Sequence, residues 1–375
     1  MSRILPLTSA VRALKLNANQ SALSNVAMNL KELSEVLGLS QTTVSRALNG
    51  YPEVAEATRL RVAQAAAAHN YRPNVQARSL ATGRAMAVGH VIPLSKHNEM
   101  VNPIFADFIA GASESYLRHG YDMVISAVPD DGEEEAYRNL LAKSSVDGVI
   151  VHGPRKSDPR IALLQEIGMP FVVHGRASLE ETPYNWVDVN NRSAFLRATE
   201  FLIDLGHERI GLINGMMHMD FAARRHQGYL DALAARGIAP DQELIRSSEM
   251  TETYGFKAAK EMLSLPTPPT AMLGSSIITS FGIRRAIEES GAELGRDISV
   301  ITFDDDLSYL RNGPDVPTFT ATRSSVREAG RICADRLMAV IADPEGTPEP
   351  CLLEAELTVG RSTGPMLGRS AVKTA

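Results

Sequence analysis

From about residue 85 onward the chain alternates between two hydrophobic periods. Short runs that are apolar at nearly every position (AMAVGHVIPL, YDMVISAV, VDGVIVHG and PFVVHGR) are separated by stretches with apolar residues every three or four positions. The runs read as strands buried on both faces, and the stretches at 103–119, 133–142 and 159–167 read as helices. A second round begins near Arg192. It runs helix (194–205), strand RIGLING, helices (222–236 and 254–263), strand TAMLGS, helix (278–290) and strand ISVITFDD. A last helix at 325–342 precedes an end strand, CLLEAEL. Apolar strands alternating with helices mean parallel sheets covered on both faces. Two rounds of similar size predict two α/β lobes, with a cleft at the carboxyl ends of their strands.

Ahead of residue 85 the spacing is helical only. Residues 29–36 (NLKELSEV) form a short helix with Leu30, Leu33 and Leu37 on one face. Gly38 supplies the freedom for positive φ that a tight turn needs. In LSQTTVSRALNG, Ser40 is an N-cap, and Val44, Ala47 and Leu48 fall at i, i+3 and i+4. Gln41, Thr42, Thr43, Ser45, Arg46 and Asn49 make the rest a polar surface of amides, hydroxyls and one guanidinium, before Gly50 stops the helix. Any amphipathic surface helix has a polar face. Helix, glycine turn and helix together, however, make the helix-turn-helix layout, whose second helix lies in the major groove, where such groups meet base edges.

Tyr51-Pro52 is a loop, and a third helix follows at 55–70, with Leu60, Val62, Ala63, Ala66 and Ala67 available to pack on the first two. It begins at Ala55, which has no capping oxygen, so its start is expected to fray at a cost of about 1 kcal/mol. Pro73 ends it, and Asn74 can cap a short segment, VQARSLATG, that stops at Gly83. Such a segment is too short to be helical alone in water.

Charge divides the chain in the same place. Residues 28–84 hold seven basic and four acidic residues, +3, and the first 27 residues add another +3. Against a formal charge of −6 for the whole chain, the remaining body therefore carries −12. A basic head on an acidic body suits phosphate contact at one end. Cys333 and Cys351 have no paired spacing, which fits a reducing compartment and gives no zinc motif. No apolar run approaches the length needed to span a bilayer, and Arg12, Lys15, Asn17, Asn19 and Gln20 interrupt anything like a secretion signal.

MNLKELSEVLGLSQTTVSRALNGYPEV, then TRLRVAQAAAAHNYRPN, then ARSLATGR resembles the lac/gal repressor family (LacI/GalR type) from Met28 through Arg84, with family features continuing to about Arg361. The resemblance implies an N-terminal all-α helix-turn-helix head and hinge helix, followed by a two-lobed α/β core like that of periplasmic binding proteins. Residues 1–27 become a disordered extension or an upstream stretch before a true start at Met28. The head spans 28–72 and the hinge 73–84. One lobe takes 85–190 and 320–350, the other 191–319 and 351–363, and 364–375 is a tail. On DNA the resemblance implies contact by Ser40, Gln41, Thr42, Thr43, Ser45, Arg46 and Asn49, with Gln41, Thr42 and Arg46 the base readers and Arg46 the residue best suited to guanine. It also implies that Asn74, Ala77 and Leu80 of the hinge meet the duplex, Leu80 as an apolar wedge in the minor groove.

In the cleft, the family pattern is arginine before a helix glycine and the first acid of FDD. It implies that Arg225 and Asp304 hold effector hydroxyls. Arg176, Ser276, Ser95, Asn102 and Phe105 are the further candidates, each lying just past a strand end. Three departures bear on the effector: Gly175-Arg176, Ser276-Ile277 and Asn190-Asn191 stand where the family commonly has Asp-Arg, Asn-Asp and Asp-Asn. Two of them remove a carboxylate near the cleft. A neutral sugar is the first expectation, and a phosphorylated or acidic sugar the alternative. GHERIG, with His207, reads as a structural turn. His174 lies beside the cleft candidates without the further ligands a metal needs.

The expected protein is therefore a cytoplasmic, homodimeric repressor of carbohydrate genes. Its partners are a pseudo-palindromic double-stranded operator and a sugar-like effector, with no cofactor and no membrane. A sugar-binding transport protein would share the two lobes but needs a secretion signal in place of a helix-turn-helix. A two-domain sugar enzyme needs a nucleophile turn, a phosphate loop or a dinucleotide fingerprint, and the chain has no G-x-S-x-G, G-x-x-x-x-G-K-[ST] or G-x-G-x-x-G after a strand.

Overall fold

The computed structural model describes residues 28–71, 83–93, 102–129 and 132–366. The hinge candidates Asn74, Ala77 and Leu80, the cleft candidate Ser95, the extension 1–27 and the end of the tail lie outside the described residues. By contacts the chain falls into two units, residues 1–84 and 85–375.

In the first unit, α1 (Leu30–Leu37), α2 (Gln41–Leu48) and α3 (Glu56–Ala68) surround Leu33, Leu37, Val44, Ala47, Val54, Val62 and Ala66. Local chemistry sets each end. Asn29 caps α1 through a full capping box with Glu32, at 3.0 Å and 2.8 Å. Gly38 takes φ +62°. The Ser40 hydroxyl accepts the Thr43 N–H at 3.0 Å. Ala55 offers α3 no side-chain cap, as its sequence implies. Leu60, Ala63 and Ala67 do not pack as expected. They are exposed, Leu60 by 58%. The buried stripe of α3 is only Val62 and Ala66, and the Arg61 guanidinium donates to the Leu37 carbonyl at the end of α1.

The second unit has two sheets. The first is built from β1 (Ala87–Pro93), β2 (Asp122–Val128), β3 (Gly148–His152), β4 (Phe171–His174), β5 (Trp186–Val189) and β11 (Cys351–Leu353), in the order β11-β5-β4-β3-β1-β2, all parallel. The second holds β6 (Ile210–Asn214), β7 (Ile245–Ser247), β8 (Ala271–Gly274), β9 (Ser299–Asp304), β10 (Thr320–Arg323) and β12 (Glu356–Thr358). Its order is β12-β10-β9-β8-β6-β7, with only β12 antiparallel among these described strands. The chain crosses between lobes after β5, after β10 and after β11. Two expected lobe boundaries move accordingly. Residues 320–323 belong to the second lobe, because β10 pairs with β9, and 351–353 belong to the first, because β11 pairs with β5. CLLEAEL is thus two strands in different sheets.

Helices α4 (Pro103–His119), α5 (Glu133–Ala142), α6 (Pro159–Glu166) and α11 (Val326–Ala342) cover the first sheet. Helices α7 (Asn191–Asp204), α8 (Asp220–Ala235), α9 (Glu252–Leu263) and α10 (Ile277–Glu289) cover the second. The helices pack in close pairs at glycines. A Cβ on Gly228 of α8 would strike the Arg192 carbonyl and sit 2.9 Å from the Leu196 nitrogen of α7. Gly111 of α4 and Gly330 of α11 face each other's backbones in the same way. His207 has the structural place its motif suggested: it is buried, and its ring meets Thr270 Oγ1 at 2.9 Å, Ser299 Oγ at 3.0 Å and the Gly364 carbonyl at 3.1 Å.

Candidate effector cleft and DNA-reading helix

On α2 the buried positions are Val44 and Ala47, with Leu48 half-buried, so the opposite face is free of packing duties. Gln41, Thr42, Arg46 and Asn49 are exposed. Two of the polar groups are partly committed within the helix. Thr43 is tied to the Ser40 cap, and the Asn49 amide donates to the Ser45 carbonyl at 2.9 Å. Arg46 pairs with Glu53 at 3.7 Å while both remain about half exposed, a weak contact that a guanine edge can displace.

Between the lobes of the second unit lies a cavity of about 900 Å³. One continuous polar chain lines it. In the first lobe Arg176 pairs with Asp188 at 2.9 Å and lies over the Trp186 ring. Asp188 accepts from the Asn191 amide at 3.3 Å. Asn191, at the first crossover, accepts the Arg225 Nε–H at 2.7 Å. Arg225 also donates to the Ser275 carbonyl and stacks on Phe303, its guanidinium carbon 3.9 Å from the ring centroid. Asp305 lies in its field.

Burial sets the ionisation of these groups. It pushes the Asp305 carboxyl up to about 7, against the attraction of Arg225. It raises Asp188 to about 6, against Arg176 and Arg224, and lowers Arg225 to about 10. The floor of the first lobe is aromatic: Phe105, Phe108, His152 and His174 meet edge to face or tilted, with centroids 4.4 to 5.9 Å apart. Burial keeps these imidazoles neutral, lowering His174 to about 4 and His152 well below its usual range.

Direct contacts join the lobes at the rim. The Asp220 N–H donates to the Pro154 carbonyl at 3.1 Å, and the Ser178 N–H donates to Asp220 at 3.0 Å. Asp107 accepts from the Ser308 N–H and hydroxyl at 2.8 and 2.6 Å.

Residues 29–74 match the family model described as bacterial regulatory proteins, lacI family, and residues 86–358 match periplasmic binding proteins and sugar binding domain of LacI family. The chain belongs to the LacI family. As a LacI-family protein it is a helix-turn-helix transcriptional regulator, not an enzyme. It is 44% identical to the HTH-type transcriptional regulator AglR of Rhizobium meliloti over 92% of this chain and 96% of that protein. It is 34% identical to RafR of Escherichia coli over 74% and 82%. Among solved structures it is similar to the lac repressor dimer bound to operator and the anti-inducer ONPF (TM-score 0.78, 27% identity, 90% of this chain and 99% of that one). It is also similar to the CelR–cellobiose complex (TM-score 0.67, 28% identity, 89% and 99%).

Within this LacI-family fold the cavity gathers Asn102, Phe105, Arg176 and Arg225. Two expected residues are not in its wall. Ser276 is fully buried as the N-cap of α10, its hydroxyl accepting the Thr279 N–H at 3.1 Å. Asp304 turns away and accepts the Asp306 N–H at 2.9 Å. Of the acids that end β9, the one that faces the cavity is Asp305. Strand alternation carried the signal: Phe303 lines the cavity, so residue 305 shares its side. His152 was also missed. The rule that picked residues past the VHG ending at 173–175 applies equally to the VHG ending at 151–153. Asp188 gave no local signal, because its strand, WVDV, is only four residues long.

Proposed function

We propose that this LacI-family regulator is a cytoplasmic homodimeric repressor whose grip on a pseudo-palindromic operator is set by a neutral saccharide in the cleft. The polar chain from Arg176 to Arg225, with Asp305 in its field, supports this reading most directly. Its guanidiniums donate and its carboxylates accept, which suits hydroxyls that do both. The aromatic floor suits the apolar faces of a sugar ring. Among the described residues, four arginines and five carboxylates line the cavity, a balance that does not favour a phosphate or a sugar acid. Its volume is near the top of the roughly 300–1,000 Å³ usual for small-molecule sites and leaves room for more than one ring.

Arg176, Arg225, Asp305, His152, Asn102 and Phe105 are the proposed effector contacts, and Gln41, Thr42, Ser45 and Arg46 the proposed base readers. Since groups of both lobes line one cavity, a ligand there has unequal affinity for different lobe arrangements, which is what coupling to DNA requires.

Thermal-shift screening against neutral mono- and disaccharides, their phosphates and nucleosides tests the effector. A neutral sugar is expected to raise Tm by mass action and to release DNA taken from upstream of the protein's own or neighbouring genes in a salt-dependent gel-shift assay. A nucleoside or sugar phosphate as the sole hit overturns the proposal.

A further inference from the structure

Behind the cavity floor lies a three-membered polar chain. The Tyr116 hydroxyl of α4 is 3.0 Å from His90 Nε2, and His90 Nδ1 is 2.9 Å from His152 Nε2. His90 is fully buried and Tyr116 nearly so, and neither belongs to the cavity wall. His152 does, and no described residue takes its Nδ1. The order of the strands creates the chain: β1 lies beside β3, bringing together histidines 62 positions apart. Burial lowers His90 to about 3 and His152 well below its usual range, so both rings carry one proton each at neutral pH.

Two proton arrangements satisfy the imidazole contacts. In one, the Tyr116 O–H donates to His90 Nε2, His90 Nδ1–H donates to His152 Nε2, and His152 keeps its proton on Nδ1. In the other every bond is reversed, and the Tyr116 proton must find a different acceptor. Among the described residues none accepts it. The nearby Cys333 thiol makes no hydrogen bond with Tyr116. The reversed arrangement strands a buried donor, so the first prevails.

The geometry points to Tyr116 and His90 as positioning residues that hold His152 in its Nδ1–H tautomer, so that the cavity floor presents a donor to an acceptor oxygen of the bound saccharide. The ligand half of this inference rests on the neutral-sugar reading of the cleft. The tautomer half does not.

The tautomers are measured directly by long-range proton–nitrogen correlation on the full-length protein labelled with 15N-histidine, with H90N and H152N used for assignment. Both His90 and His152 are expected as Nδ1–H tautomers in the free protein. Tyr116→Phe is expected to turn both into mixtures at nearly unchanged Tm. An Nε2–H His152 in the wild type, or tautomers unmoved by Y116F, overturns the relay.

Binding is then titrated with cellobiose, maltose, sucrose and melibiose. For any sugar that binds, H152L is expected to raise Kd about tenfold or more. H152N, whose amide can donate from the Nδ1 position, should stay within about threefold of wild type, and Y116F should fall between. H152L binding as tightly as wild type overturns the ligand half. If none of the four sugars binds, the sugar reading of the cleft and this ligand half fail together, and the tautomer result still decides the relay.

Discussion

Arg225→Met is the most informative single change in the cleft. Methionine fills the space of the side-chain stem while removing the donors to Asn191 and Ser275 and the positive charge beside Asp305. The cost has two parts. Losing two charged donors inside the protein costs on the order of 3–5 kcal/mol at any pH. The second part depends on pH. In the wild type the Asp305 carboxyl is raised to about 7, with Arg225 holding it from going higher. A carboxyl whose folded value lies above its unfolded value of roughly 4 stabilises the fold at low pH and loses that contribution as pH rises to the folded value. In the wild type the loss ends near pH 7. In Arg225→Met the folded value is higher, so the loss continues above pH 7 at about 1.4 kcal/mol per pH unit, or roughly 2 kcal/mol more by pH 8.5.

Urea unfolding of both proteins at pH 6, 7 and 8.5 reads this difference. Adding Asp305→Asn should abolish the growth between pH 7 and 8.5 and leave the pH-independent part. A stability gap that stays constant from pH 6 to 8.5 would refute the coupling of Arg225 to Asp305.

Four further outcomes follow from particular residues. Ala55→Ser should supply the missing cap of α3 and stabilise the head by about 1 kcal/mol, seen as slower amide exchange in the first turn of that helix. Arg46→Ala should cost about 1–3 kcal/mol of operator binding and relax preference at one base pair, with Tm unchanged because its ion pair with Glu53 is exposed, as gel shifts on operator variants will show. Gly228→Ala should destabilise the second unit by about 3 kcal/mol, since a backbone carbonyl and nitrogen of α7 must give way, and a thermal melt measures it. His174 is buried and lowered to about 4, so the wild type should lose stability as pH falls from about 6.5 toward 4. His174→Phe should remove about 1.4 kcal/mol per pH unit of that decline in urea titrations across the range.

Much of this protein is written in short-range signals. The helices of the head, the Asn29 and Ser40 caps and the Gly38 turn depend on groups within four residues of one another, and sequence alone determines them. The same holds for α4 and α5, whose bounds at 103–119 and 133–142 match those expected: Asn102 and Gly120 mark the ends of α4, and apolar spacing marks α5. The long apolar strands and the two-lobed plan are equally legible, since burial on both faces leaves a continuous apolar run.

Strands β5, β7 and β10 are not legible. WVDV, IRS and TATR are short and part polar, and become strands only by pairing with β4, β6 and β9. Strand pairing decides the site: β5 beside β4 places Asp188 under Arg176, and β1 beside β3 sets His90 against His152. Sequence determined which chemistry the cleft could hold, because residue types carry it. Only the tertiary structure decided which groups meet there, because the meeting depends on strand order and register over distances that local periodicity does not encode.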